Sequence, residues 1–276
     1  MPEKPSPLGQ PSVRIGAVTY LNSRPLVWCL ERLAPTAEIV FDLPSRLADG
    51  LARARLDVAL VPSIEYFRNP GCTIVSDACI ACDGKVRSVK LYSRVPVRRI
   101  GTLALDEGSR TSAAMVRIML KERYNLEPEL CPLPIGTSLA ESTADAVLVI
   151  GDRAMRPSDE DFEVVWDLGE EWSRWTGLPF VFSMWIARPC VDLSGMAELL
   201  GAARDEGVAH LEEIARQSAP GVGISEEDCL SYLRDSLFFE LGRRQRLGLE
   251  TFYQLAVAHR LAPAGIDLVF YHHSPA

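Results

Sequence analysis

The sequence alternates short runs of β-branched and aliphatic residues with longer amphipathic stretches, and this alternation limits the fold more than any other feature. Strands that alternate with helices are typical of α/β proteins in which most strands are parallel. Helices are predicted near residues 25–33, 45–54 and 109–124, and through 191–261. The predicted strands are VRIGAVTY (13–20), EIVFDLP (38–44), DVALVP (57–62), SVKLYSRV (88–95), RIGTLAL (99–105), DAVLVIG (145–151) and FSMWIAR (182–188).

A weak internal similarity links the two halves of the chain. RIGAVTYLNSRP, which begins at Arg14, matches RIGTLALDEGSRT, which begins at Arg99, and DVALVPSIEY from Asp57 matches DAVLVIGDRA from Asp145. Both pairs keep nearly the same separation along the chain. Two interpretations stay open: chance similarity between common strand sequences, or two similar α/β lobes that face each other. In the second, the loops at the carboxyl ends of both sets of strands line one cleft.

Length, charge and cysteine content limit the classes of function. The 276 residues suffice for two domains, and a net charge of −8 provides no basic surface for nucleic acid or a membrane. No apolar run is long enough to span a bilayer and the first residues lack the apolar core of a signal peptide, so a cytoplasmic location is expected. The Cys79 and Cys82 pair is interpreted as buried strand thiols rather than as part of a redox or metal site.

A polar turn separates the predicted strand RIGTLAL from the helix that follows it. Ser109, Thr111 and Ser112 offer hydroxyls, Arg110 offers a positive charge, and the start of a helix offers free backbone N–H groups. The turn is therefore either a site for a carboxylate or phosphate, or an ordinary helix cap. The corresponding turn in the first half of the chain contains Asn22, which would lie at the same cleft.

The segment EEWSRWTGLPFVFSMW, residues 170–185, contains three of the five tryptophans. Gly177 and Pro179 argue against a helix that continues through its middle, because glycine weakens a helix and proline breaks it. The aromatic rings either form a hydrophobic plug or line a site for a flat, partly apolar ligand.

Five segments, taken in order, resemble the MqnA family, the chorismate dehydratases of the futalosine route to menaquinone. They are VTYLNSRPL, VPSIEYF, DEGSRTS, VLVIGDRAM and WTGLPFVFSMW, and YLNSRPL is the one that distinguishes the family from a sister enzyme of the same fold. The resemblance extends from about Arg14 to Arg188. It implies an α/β, two-lobe type II periplasmic-binding-protein-like fold with a ligand cleft between the lobes.

The resemblance also implies how the chain divides between the lobes. Residues 1–92 and 183–276 would form lobe one, and residues 93–182 would form lobe two. LYSRV and FSMWIAR would be the two strands that cross between them.

The implied activity is the conversion of chorismate to 3-[(1-carboxyvinyl)oxy]benzoate and water. The ring becomes aromatic, so no cofactor is expected, and the sequence has no GxGxxG, GxxxxGK[ST] or HExxH motif. Asn22 and Ser88 would be the catalytic polar groups closest to the reacting carbons, and no metal is implied. The implied substrate-binding residues are Ser63, Ser109, Arg110, Thr111, Ser112, Gly151, Asp152, Trp175 and Thr176.

The residue that accepts the proton is open at this point. An amide and a hydroxyl are poor bases near neutral pH, so the base is either a carboxylate of the substrate or a protein carboxylate such as Asp152. Asp152 is alternatively a helix cap, and Ser88 is alternatively a strand serine bonded to nearby backbone.

A second function class fits the same fold, because function depends on the site and not on the scaffold. In that alternative the chain is a non-catalytic binding protein for a small organic anion. The expected partner is in either case a small molecule, chorismate in the first, with no nucleic acid and no membrane. The sequence leaves open whether the chain forms a homodimer.

Overall fold

The computed structural model describes residues 13–271 except 157 and 159, and their strands form two separate sheets. The first sheet contains β1 (Arg14–Val18), β2 (Glu38–Asp42), β3 (Val58–Pro62), β4 (Thr73–Cys82), β10 (Phe180–Ala187) and β11 (Phe238–Glu240). The second contains β5 (Val89–Ser93), β6 (Thr102–Asp106), β7 (Glu129–Leu133), β8 (Ala146–Ile150) and β9 (Val164–Asp167).

Each sheet combines parallel strands with antiparallel ones. The first has the order β11-β4-β10-β3-β1-β2, in which β1 is parallel to β2 and β3, and β10 is antiparallel to β3 and β4. The second has the order β7-β6-β8-β5-β9, in which β6 is parallel to β7 and β8, and β5 is antiparallel to β8 and β9. The predicted α/β class is confirmed.

Helices cover the sheets, and the longer ones have the predicted positions. The segment predicted to be helical through 191–261 consists of four helices, a π-helical turn (Tyr232–Ser236) and the strand β11. No helix in the described part of the chain is both long and apolar enough to cross a bilayer. The helices are α1 (Arg24–Val27), α2 (Leu30–Leu33), α3 (Pro44–Ala52), α4 (Ser63–Arg68), α5 (Thr111–Tyr124), α6 (Asp152–Met155), α7 (Leu168–Thr176), α8 (Met196–Ala209), α9 (Leu211–Val222), α10 (Glu226–Ser231) and α11 (Arg243–Ala258).

The chain passes between the sheets twice, and it does so in loops. β5, which contains most of LYSRV, bonds only to strands of the second sheet, and β10, which contains most of FSMWIAR, bonds only to strands of the first. The expectation that these strands cross is therefore wrong; the connections are residues 83–88 and, after α7, residues 177–179. The division into lobes at residues 92 and 182 stays a prediction.

The internal similarity of the sequence has a counterpart in hydrogen bonding. Asp57 precedes β3, and its carboxylate accepts a hydrogen bond from the backbone N–H of Arg14, at the start of β1, at 2.9 Å. Asp145 precedes β8, and its carboxylate accepts hydrogen bonds from the N–H groups of Gly101 and Thr102, at the start of β6, at 2.8 and 2.9 Å. Each aspartate joins the amino ends of two parallel strands, which supports the interpretation of two similar lobes.

The tryptophan-rich segment is a hydrophobic plug. α7 ends immediately before Gly177, which adopts a left-handed conformation at the helix end, so Gly177 and Pro179 lie beyond the helix rather than within it. Trp172 is fully buried and packs edge-on against Phe180 and Phe252. The helix therefore stops before Gly177, as the sequence indicated, although α7 itself was not among the predicted helices, and the rings join α7, β10 and α11 in the core.

Cys79 and Cys82 are buried in β4, as the sequence predicted. Burial raises the pKa of both thiols, which keeps them protonated. Within residues 13–271, leaving aside 157 and 159, no three His, Cys, Asp or Glu side chains form a group that could hold a metal ion.

Candidate active site

A cavity lies between the two sheets, at the carboxyl ends of their parallel strands. It has about 490 Å³ of space unoccupied by atoms, part of which is open to solvent. Most of its polar groups belong to the loops after β1, β6 and β8, as expected for facing α/β lobes. The lining residues are Val18, Tyr20, Asn22, Pro44, Pro62, Ile80, Val86, Ser88, Val89, Gly108, Ser109, Arg110, Thr111, Ser112, Ile150, Gly151, Phe182 and Ser183.

The start of α5 contributes the densest set of polar groups. Its preceding turn is fixed by Asp106, whose buried carboxylate accepts hydrogen bonds from the N–H of Gly108 at 2.9 Å and the N–H of Ile150 at 3.1 Å. The Ser109 hydroxyl is buried and has no hydrogen-bond partner among the described residues. Because α5 has fourteen residues, its positive N-terminal end adds to the attraction for an anion.

Thr111, in contrast, has its hydroxyl engaged by the protein. Its Oγ1 accepts a hydrogen bond from the backbone N–H of Ile64 at 3.3 Å and lies 3.4 Å from the Oγ of Ser63. Ser63 donates to the carbonyl of Val181 at 2.7 Å, is fully buried and does not line the cavity. Thr111 therefore lines the cavity but also joins α5 to the start of α4, and Ser63 supports Thr111 from behind.

Arg110 does not offer the free positive charge that the sequence suggested. Its guanidinium donates to Asp49 at 2.6 Å and to Glu65 at 2.9 Å. Burial lowers the pKa of Arg110. The hydrogen bond and charge of Asp49 and the charge of Glu65 raise that pKa, and together they outweigh burial, so the net shift is upward. Both carboxylates come from the first sheet's half of the molecule, where sequence reasoning had no means to pair them with Arg110. The ion pairs neutralise the arginine and connect the two sides of the cavity.

Asn22 lies opposite α5, in the short 3₁₀ turn (Leu21–Ser23) after β1. Its side-chain oxygen is buried in the cavity wall and has no partner among the residues that the structure describes. The turn is anchored by Ser23, whose hydroxyl donates to the carbonyls of Val18 and Tyr20 at 2.6 and 2.8 Å. A buried amide oxygen without a partner costs about 1–3 kcal/mol, a cost that a bound ligand can remove.

Ser88 is in the first connection between the sheets, and 1% of its surface is exposed. Its backbone carbonyl accepts from the N–H of Gly151 at 2.8 Å, and its hydroxyl is in contact with a tyrosine from the C-terminal region, Tyr232. The structure therefore places Asn22 and Ser88 in the wall of one cavity, as expected from the sequence. Their catalytic roles stay predictions.

Tyr20 was missed by sequence reasoning, although it stands next to Asn22 in the segment YLNSRPL. Its ring lies against Gly151, where an added Cβ would be 2.9 Å from the ring, and its hydroxyl lies close to Gly108. Burial, followed by the charge of Asp106, raises the pKa of Tyr20, so the phenol stays protonated. The positive φ of 69° at Gly151 and the close approach of Tyr20 both require glycine at that position.

Asp152 faces away from the cavity toward a neighbouring surface depression. Its carboxylate accepts a hydrogen bond from the backbone N–H of Leu21 at 2.9 Å, across the two halves of the molecule. Burial raises its pKa, partly offset by that hydrogen bond. The structure thus places Asp152 behind the loop that holds Asn22, as a support for that loop and not as a cavity residue.

Trp175 and Thr176 also lie outside the cavity, contrary to the placement that the resemblance implied. Thr176 donates its hydroxyl to the carbonyl of Trp172 at 2.9 Å, and Trp175 packs edge-on against the Trp172 ring. Both belong to the last turn of α7, which ends at Gly177, so they are part of the hydrophobic plug.

Known proteins match this chain along most of its length. The model of the menaquinone biosynthesis family matches residues 13–258. A chorismate dehydratase from Thermus thermophilus is 28% identical over 256 residues, which cover 86% of this chain and 93% of that protein.

Solved structures show the same fold at low sequence identity. A structural-genomics crystal structure of an Archaeoglobus fulgidus protein has a TM-score of 0.73 and 15% identity, covering 91% of this chain and 98% of that one. The periplasmic aliphatic sulphonate binding protein SsuA from Escherichia coli has a TM-score of 0.62 and 16% identity, covering 94% and 96%. The fold is a two-lobe, periplasmic-binding-protein-like fold, and the chain belongs to the menaquinone biosynthesis family.

Proposed function

We propose that this protein is a chorismate dehydratase, a hydro-lyase that converts chorismate to 3-[(1-carboxyvinyl)oxy]benzoate and water in the futalosine route to menaquinone. The observation that carries the proposal is the pair of buried polar atoms in one cavity, the Asn22 oxygen and the Ser109 hydroxyl, that lack partners among the described residues. Similarity to a chorismate dehydratase over most of both chains supports the same conclusion.

The reaction requires three things of the site. Chorismate has two carboxylates that must be held, a hydroxyl that must leave and a ring proton that must be removed. The N-terminal end of α5 suits a carboxylate, because Ser109 and Ser112 add hydroxyl donors to free backbone N–H groups. Asn22, on the opposite wall, suits the leaving hydroxyl, because its side-chain oxygen accepts a hydrogen bond and its NH₂ group donates.

The composition of the cavity wall bears on the proton acceptor. Among its described residues, Arg110 is the one with a charged side chain, and no Asp, Glu or His is present. Asp152, the protein carboxylate considered from the sequence, faces away and is bonded to Leu21. These positions favour a carboxylate of the substrate itself as the base, held in place by the protein. A cytoplasmic location and a homodimeric state are further expectations of the proposal.

Removing the two hydroxyls at the start of α5 tests where the substrate carboxylate binds. In a Ser109→Ala, Ser112→Ala double variant we expect the affinity for the product, which retains both carboxylates, to fall by roughly 1–3 kcal/mol because two charge-assisted hydrogen bonds are lost. Calorimetric titration with the product and the KM for chorismate measure the effect.

Ser93 supplies a matched control, because it is a buried serine of β5 whose hydroxyl donates to the carbonyl of Val95 and does not line the cavity. Ser93→Ala should reduce thermal stability and leave product affinity unchanged. If the double variant lost stability but kept wild-type affinity, the hydroxyls would be helix caps and the carboxylate would bind elsewhere.

A further inference from the structure

The position of Ser88 is fixed by contacts that converge on its connecting segment. The Asp167 carboxylate accepts hydrogen bonds from the backbone N–H groups of Val86 at 2.9 Å and Arg87 at 2.6 Å. Arg87 has a φ of 62°, in the left-handed region that costs a non-glycine residue about 1–3 kcal/mol. Strain of this kind persists only where surrounding contacts impose it, and Arg87 immediately precedes Ser88.

The C-terminal helices supply further contacts of this segment. Arg87 donates to the backbone carbonyl of Asp228 at 3.3 Å and to its carboxylate at 3.2 Å. Tyr232, four residues later, donates its hydroxyl to the Oγ of Ser88 at 2.8 Å. Both groups are almost fully buried, with 1% of each residue exposed. Tyr232 is also the first residue of the π-helical turn, a rare distortion that is frequent at functional sites.

We propose that Tyr232 is a positioning residue for the dehydration: its phenol occupies a lone pair of the Ser88 oxygen and leaves the Ser88 O–H to donate a hydrogen bond to the departing hydroxyl of the substrate. The proton that completes the leaving water is the one that the substrate carboxylate takes from the ring, so Ser88 keeps its own proton. The role of Tyr232 rests on the proposed function. It assigns a task in the reaction to the C-terminal helical region, which the sequence motifs do not cover.

The geometry gives this role a physical basis. A serine hydroxyl has one proton and two lone pairs, so a donor that occupies one lone pair restricts where the proton can point. Burial raises the pKa of Tyr232, partly offset by its bond to Ser88, and so the phenol is present as a donor at all ordinary pH values. A preorganised donor directed at developing negative charge has its effect in the transition state and little effect on ground-state binding.

The test compares Tyr232→Phe, Ser88→Ala and the double variant with the wild-type enzyme. Tyr232→Phe keeps the buried ring and removes only the hydroxyl. We expect kcat for chorismate to fall about tenfold, with the affinity for the product within about twofold of wild type. The kcat of Ser88→Ala should fall at least as far. Adding Tyr232→Phe to Ser88→Ala should cause no further loss of kcat, because the phenol acts through the serine.

Tyr66→Phe is the matched control. Tyr66 is equally buried, but its hydroxyl bonds the backbone at Asp267 and Val269, away from the cavity. This variant should lose thermal stability to a similar extent as Tyr232→Phe and keep wild-type kcat. Loss of kcat in both tyrosine variants would mean that stability alone explains the result, and would overturn the proposal.

The remaining outcomes separate this role from the proposed function. Two outcomes would show that Tyr232 has no role through Ser88 although the wild-type protein converts chorismate and the proposed function stands. In one, Tyr232→Phe has the same kcat as the wild type. In the other, the fold losses of kcat in the two single variants multiply in the double variant. If the wild-type protein binds chorismate without converting it, the proposed function fails and the role of Tyr232 fails with it.

Discussion

Changing Asn22 to aspartate should lower the turnover of chorismate about a thousandfold while the protein still folds. The side chain keeps its shape, but the new carboxylate stands in a cavity that must hold a dianion. A like charge about 4 Å away costs on the order of 4 kcal/mol at an effective dielectric constant near 20, which corresponds to roughly a thousandfold in rate. Asn22 is half-buried and its side-chain oxygen has no partner among the described residues, so the fold itself loses little.

Asn22→Ala separates the effect of the new charge from the loss of the amide. Binding should survive in part, because the donors at the start of α5 remain, while turnover falls by a transition-state loss of roughly 3 kcal/mol. Product affinity and cofactor-free turnover are measured in parallel for the wild type and both variants. If both variants turned over chorismate like the wild type, Asn22 would be a structural loop residue and the segment YLNSRPL would have no part in the reaction.

A second large effect is expected at the end of the first sheet opposite the cavity. Asp57 accepts hydrogen bonds from the backbone and guanidinium of Arg14 at 2.9–3.0 Å, and from Arg188 at 3.1 and 2.5 Å. Asp57→Asn should lower the free energy of unfolding at pH 7 by roughly 2–4 kcal/mol, because several charge-assisted hydrogen bonds are lost at a mostly buried group. The kcat of the folded enzyme should not change.

The pH dependence of this loss identifies its cause. The hydrogen bonds from Arg14, together with that arginine's charge and Arg188, lower the pKa of Asp57 far below the ordinary value near 4, despite the opposing effect of burial. A carboxyl with a depressed folded-state pKa adds stability that is present above its unfolded pKa and is lost as the pH falls toward the folded one. The difference between wild type and Asp57→Asn should therefore be large at pH 7 and shrink below about pH 4.

Denaturant unfolding at several pH values measures this difference. Asp145→Asn is the matched control, because Asp145 has the equivalent position in the second sheet but binds backbone N–H groups and, among the residues that the structure describes, no arginine. Asp145→Asn should lower the free energy of unfolding by less than Asp57→Asn does. An equal loss in both variants, or a loss at Asp57 that does not depend on pH, would show that the arginines contribute little.

The strands that the sequence predicted are those with a strong apolar pattern. β1, β3, β8 and β10 are almost entirely buried, and all four were predicted. Four strands were missed. β7, β9 and β11 lie at sheet edges, whereas β4 lies inside the first sheet, and only its Cys79 and Cys82 had been expected to belong to a strand. Edge strands are partly exposed and carry polar residues, so their sequences lack the pattern that marks an interior strand.

The site residues were predictable where their position depends on local sequence. They were not predictable where it depends on contacts between side chains that are far apart in the sequence. The loops after β1 and β6 placed Asn22 and Ser109 at the cavity, because loops at strand ends have a fixed position in an α/β lobe. Arg110 was misjudged because its partners, Asp49 and Glu65, come from the other half of the molecule. Tyr232 was not found for the same reason, since 144 residues separate it from Ser88.

We expect this chain to convert chorismate without any cofactor. The most direct measurement is to incubate the purified protein with chorismate and no added cofactor, and to follow ultraviolet absorbance and product mass. We predict a new aromatic absorbance and a product that has lost one water and kept both carboxylates. Chorismate that binds to the protein and is recovered unchanged would contradict the account and identify the chain as a binding protein for an organic anion.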